Sequence, residues 1–147
     1  MAETTTGTGR ELRLERRFKA TPDRVFRAWT EPEAMRKWKA PGEAEVALAE
    51  SDLRVGGTYR IHMRGPDGTL YRLIGEYREV SIPSRLVYTW RWEHEADAID
   101  TLVTVEFTAV GDETEVSLVH SGFAAEDDRS RHEMGWNGSL DKLAQVV

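Results

Sequence analysis

Polar and apolar residues alternate along most of the chain, and the alternation gives way to a longer period over residues 21–38 and again from Asp127 to the end. In the final stretch His132, Trp136, Leu140, Leu143 and Val147 recur at steps of four, four, three and four, which gathers them on one face of a helix. Arg129, Arg131, Glu133, Asp141, Lys142 and Gln145 fall on the other faces. The stretch therefore predicts a long amphipathic helix with a broad, mostly apolar face to bury. Gly135 and Gly138 lie inside it, and a mid-helix glycine costs about 1 kcal/mol relative to alanine. The expected compensation is close approach of a sheet or a ligand to the helix backbone.

Earlier in the chain, Leu12, Leu14 and Phe18 alternate with Arg13, Glu15, Arg17 and Lys19. This is a strand over 11–20 with one wet face, its apolar run broken at Arg16. Thr21-Pro22-Asp23 reads as a helix start, with Thr21 as N-cap and proline at the first helical position; Val25, Phe26 and Trp29 share one side. Thr30-Glu31-Pro32-Glu33 repeats the device ahead of a second short helix carrying Met35 and Trp38, which Pro41-Gly42 ends. From Glu43 onward the period is two, and breakers at 55–57, 65–68, 82–84 and 111–112 delimit strands 44–53, 58–64, 69–80, 85–93, 100–109 and 113–121. Short turns between consecutive strands imply an antiparallel meander.

Parity sorts the faces: Tyr59, Ile61 and Met63 oppose Arg60, His62 and Arg64, and Val103, Val105 and Phe107 oppose Thr104, Glu106 and Thr108. A seven-stranded sheet with one apolar face needs a cover, and the C-terminal helix is the one long enough. The fold class is thus α+β, a curved antiparallel sheet wrapped around a long C-terminal helix, with two short helices after the first strand. Residues 1–10, MAETTTGTGR, carry no apolar pattern and read as a flexible tail, leaving 11–147 as a single domain.

Composition narrows the function classes. The chain has no cysteine, which excludes disulfides, thiolate metal sites and a cysteine nucleophile. Its N-terminus lacks the apolar core of a signal peptide, and no apolar run approaches the roughly 18 residues of a membrane helix, so a cytoplasmic protein without a membrane span is expected. A net charge of −6 argues against nucleic acid as a partner. The charge is uneven: residues 10–40 sum to +5 and the remainder to −11. That asymmetry either steers an acidic partner to the N-terminal third or is simply a solvated surface.

The aromatic load carries the main chemical suggestion. Trp29, Trp38, Tyr59, Tyr71, Trp90, Trp92, Phe107 and Trp136 line a ligand site or fill a core, with Ile61, Met63 and Leu140 as aliphatic neighbours and Gly135 thinning the helix beside Trp136. Among the histidines, His62 and His94 are expected at the surface. His120 and His132 share the parity of apolar positions and point inward, either bonding backbone as core residues or serving a ligand. No metal site is expected: no histidines fall at i, i+4, and His132-Glu133 face different ways. Nothing resembles a nucleophile elbow or a phosphate loop, so neither catalytic residues nor a cofactor are assigned.

The order of elements resembles the helix-grip fold of the START-like (SRPBCC) superfamily. Thr21-Pro22, Val25-Phe26, Ala28-Trp29-Thr30 and Met35-Arg36-Lys37-Trp38 look like the opening of the family named for the activator of heat-shock protein 90 ATPase, in its single-domain bacterial form. Val55-Gly56-Gly57-Thr58-Tyr59, Asp67-Gly68, the run Arg85 to Trp90, and Gly122-Phe123, His132, Gly135-Trp136, Leu140 and Leu143 are similar to its later blocks. The resemblance implies a hydrophobic pocket between sheet and helix. Three functions follow as expectations: non-enzymatic binding of a small hydrophobic or aromatic molecule; a co-chaperone-like module docking a chaperone through the basic segment 10–40, to be tested by charge reversal at Arg13, Arg17, Arg36 and Lys37; or an enzyme using His120 or His132.

Overall fold

The structure, a computed structural model, describes residues 10–147 and the backbone of the strand Glu3–Thr8. In chain order the elements are β1 (Glu3–Thr8), β2 (Glu11–Phe18), α1 (Pro22–Thr30), α2 (Pro32–Trp38), β3 (Glu45–Ser51), β4 (Thr58–Arg64), β5 (Leu70–Ser81), β6 (Arg85–Trp92), β7 (Thr101–Val110), β8 (Glu113–Ser121) and α3 (Glu126–Val146). The sheet order is β1-β2-β8-β7-β6-β5-β4-β3. From β3 to β8 it is the predicted meander, and β2 joins it beside β8, placing Leu14 opposite Leu118 and Leu12 opposite His120.

Residues 3–8, read from the sequence as tail, instead form an edge strand from Glu3↔Arg16 to Thr8↔Glu11. Their β-branched threonines suit a strand without supplying an apolar alternation, and β2 offers an edge of peptide groups for them to pair with. Met1, Ala2 and Gly9 of that tail lie outside the described residues.

Two further expectations are corrected locally. Thr21 caps α1 as predicted, accepting from the Arg24 N–H at 3.4 Å, but Thr30 does not repeat the role. It ends α1 and donates to the Phe26 carbonyl at 3.0 Å, and Glu31 is the N-cap of α2 without a side-chain bond. Arg16 does not break the inward face of β2. It lies on it, 6 % exposed, and its guanidinium reaches Asp141 on α3 at 2.9 Å. A long side chain can bury its stem under a helix while its charge finds a carboxylate at the rim.

The core lies between the concave face of the sheet and the three helices. Trp29 anchors it, with Phe107 at 5.6 Å and Trp38 at 4.7 Å between ring centroids. Its indole donates to Tyr88 at 3.1 Å, and that of Trp38 donates to the Ala28 carbonyl at 2.8 Å. Curvature has a local device at Gly75 in β5. A methyl group there would lie 2.0 Å from the Thr89 carbonyl oxygen and 2.3 Å from the Tyr59 ring, so the absence of a side chain lets Tyr59 cross the strand and donate to that same carbonyl at 2.6 Å.

Candidate functional site

One end of α3 does not close onto the sheet. Between its first half, β6, and the irregular segment 93–100 that connects β6 to β7 lies a cavity of about 660 Å³. Its walls are chiefly aromatic: Trp90 and Trp92 from β6, Trp136 from α3, Phe123 from the turn before α3, and Tyr71 at the mouth. Met63, Ile99 and Gly135 are among the other apolar residues of the lining, and His132 stands at the wall on α3.

The residues selected from the sequence divide into two groups. Met63, Tyr71, Trp90, Trp92, His132, Gly135 and Trp136 border the cavity. Trp29, Trp38, Tyr59 and Ile61 belong to the packed core. Phe107, His120 and Leu140 lie there with them; all seven are buried. The parity argument could find the inward face but not the boundary on it between filled and open space.

His94 departs from the surface role expected for it: it is half-buried, borders the cavity, and its Nδ1 accepts the Arg72 backbone N–H at 3.0 Å. At Gly135 nothing lies within 4 Å of where its Cβ would be: of the two neighbours expected there, the sheet stays away and the helix is thinned at the cavity. Gly138 is the position of close approach, where an added methyl group would sit 3.0 Å from Pro41 Cβ.

His120 and His132 meet as expected, at 5.4 Å between rings, and each is committed to a tryptophan. An indole N–H can only donate. Trp136 Nε1 donates to His120 Nδ1 at 3.0 Å, so His120 carries its proton on Nε2 and gives it to Thr101 Oγ1 at 2.7 Å. That hydroxyl in turn donates to the Trp90 carbonyl at 3.0 Å. Trp92 Nε1 donates to His132 Nε2 at 2.8 Å, which places the His132 proton on Nδ1, facing the Asp128 carbonyl at 2.6 Å. Burial pushes the His120 pKa well below its ordinary value, and the neighbouring His132 adds to the effect. His132 is lowered too, mainly by burial, with its bond to the Asp128 carbonyl opposing. Both rings are neutral, and neither has a vacant nitrogen.

Lys39, just beyond α2, escaped the sequence reading. It is 6 % exposed and borders the cavity. Its Nζ sits over the rings of Trp38 at 4.5 Å, Trp29 at 5.2 Å, Trp136 at 5.6 Å and Tyr88 at 5.8 Å. Burial lowers its pKa to about 7, and four ring faces act in the opposite sense by attracting the cation. Its backbone carbonyl accepts from Ser139 on α3 at 2.9 Å. Thr101 and the 93–99 segment were likewise missed: Thr101 shares the parity of Val103 and Val105 but is polar, and 93–99 carries no periodic signal. Among the described residues no cluster of His, Cys, Asp or Glu is arranged to hold a metal.

A curved antiparallel sheet gripping a long C-terminal helix, with an aromatic cavity at one end of that helix, is the helix-grip architecture of START-like proteins. Residues 19–147 match the family described as Activator of Hsp90 ATPase homolog 1-like protein, and the chain belongs to it. Among solved structures, one from Chromobacterium violaceum is 29% identical with a TM-score of 0.87, over 94% of this chain and 96% of that one. The AHSA1 protein of Silicibacter pomeroyi is 28% identical, TM-score 0.81, over 92% and 96%. A protein of Rhizobium leguminosarum is 30% identical, TM-score 0.78, over 99% and 97%. Comparison with curated proteins finds no match. No described helix is long and apolar enough to cross a membrane.

Proposed function

We propose that this domain binds a small hydrophobic or aromatic molecule, without transforming it, in the cavity between β6, the 93–100 segment and the first half of α3. The observation that carries the reading is the cavity itself. At about 660 Å³ it falls in the range of small-molecule sites, and its tryptophan-rich wall offers large apolar surfaces at low conformational cost. His132 at the cavity wall and His120 behind it already spend both ring nitrogens on neighbours, which favours binding over acid–base work. For the chaperone-docking alternative the support is thinner: of the four cations singled out for it, Arg13 pairs with Glu11, Arg17 with Glu115 and Arg36 with Glu33.

The test is a thermal-shift screen of uncharged aliphatic and aromatic compounds, with hits followed by native mass spectrometry. The expected result is a one-to-one adduct that raises the melting temperature and is lost in Gly135→Leu, whose side chain projects into the cavity. Absence of any adduct across the set, or one unaffected by Gly135→Leu, overturns the reading.

A further inference from the structure

Resting on that binding reading, we infer that the ligand is an acid: an apolar molecule bearing a single carboxylate, seated with its tail against Trp90, Trp92 and Trp136 and its anionic head on Lys39. Lys39 is more than nine-tenths buried at the cavity wall. Among the described residues its ammonium forms no ion pair and no hydrogen bond, and its close contacts are the faces of four rings. A cation largely withdrawn from bulk water without a counter-charge is costly, and ring faces replace only part of what full hydration supplied. The cavity is where the missing anion can enter.

A second group points the same way. The indole N–H of Trp90, itself 8 % exposed and at the same wall, is buried and has no acceptor. An unpaired N–H and an unpaired ammonium border the same space, and no orphaned acceptor accompanies them there among the described residues. A hydrocarbon would leave the ammonium without an acceptor, and an alcohol would accept from it but leave its charge uncompensated; a carboxylate supplies both and has a second oxygen for another donor. The acidic side chains of the cavity do not fill this role. Asp128 is paired with Arg131, and Glu95 and Asp97 are solvent-exposed on the 93–100 segment, where water screens them.

The experiment compares dodecanoate with 1-dodecanol, which share a chain and differ in the head group, by titration calorimetry at pH 6.5 on the full-length protein. Wild type is expected to bind dodecanoate at least tenfold more tightly than the alcohol. In Lys39→Met, whose unbranched side chain lacks only the ammonium end, the preference should fall to within threefold. Equal affinities in wild type, or a preference that survives in a folded Lys39→Met, overturn the inference and leave the apolar-binding reading standing. If neither compound binds wild type, the inference falls, and failure of the uncharged screen as well removes the broader reading. The wild-type comparison needs no variant, so a folding defect in Lys39→Met cannot hide the result.

Discussion

The two halves of α3 carry the same kind of apolar pattern and do different things. The second half is closed: Leu140 and Leu143 are buried against the sheet, Ser139 bonds the Lys39 carbonyl, and Lys142 reaches the carbonyls of Ala40 at 2.6 Å and Ala44 at 3.2 Å. The first half is open: His132, Gly135 and Trp136 face a cavity, and its polar bonds to the sheet run to the Trp92 and His120 side chains. One helix thus acts as a clamp at one end and a wall at the other. An amphipathic face specifies burial, but what it is buried against depends on the neighbouring segments.

The comparison breaks most visibly under truncation of the clamp. Leu143→Ala should destabilise by about 2–5 kcal/mol, as a buried leucine does when a cavity replaces it, measured by urea denaturation, with ligand affinity unchanged once folded. Lys39 lies at the junction, its carbonyl held by the clamp and its ammonium beside the wall. Its folded pKa of about 7 lies below its ordinary 10.5, so between those values the unfolded chain holds more protons and wild-type stability rises with pH. Lys39→Met should therefore stabilise the protein by something on the order of 2 kcal/mol below pH 7. That gain should shrink steadily between pH 7 and 10.5 in melts recorded across the range.

His120 provides the acid counterpart. Because folding lowers its pKa, the unfolded state takes up protons first and wild type should lose stability as pH falls below about 6.5. His120→Phe should cost about 1–3 kcal/mol at pH 7 by orphaning the Trp136 N–H and removing the donor to Thr101 Oγ1, and its acid limb should be shallower. The smallest effect is expected at the wall: Gly135→Ala meets no atom within 4 Å and should stabilise by about 1 kcal/mol through helix propensity. The equivalent change at Gly138, where the new methyl would lie 3.0 Å from Pro41, should gain nothing or destabilise. A reversed order would contradict the division of the helix.

Much of the fold was legible because strand parity and helix period report directly on which side of an element is buried. Seven strands, both short helices and the inward face of α3 follow from that alone. Neighbours do not. Arg16 reads as an interruption until α3 supplies Asp141, and Glu3–Thr8 has no apolar signal because its pairing is made by backbone. At the site, Trp90, Trp92, His132 and Trp136 were reachable from pattern. Lys39 was not, since its burial is set by rings arriving from α1, α2, β6 and α3 at once. The roles expected of Gly135 and Gly138 shared one physical argument, and only the position of Pro41 separates them.

The division of α3 into clamp and wall is tested most directly by the indole N–H signals of the five tryptophans in a ¹H–¹⁵N spectrum during titration with 1-dodecanol. The signals of Trp90, Trp92 and Trp136 should move together and saturate, while that of Trp38, bonded to the Ala28 carbonyl in the core, stays in place. Saturable shifts confined to Trp38, or none at the three cavity tryptophans, would contradict it.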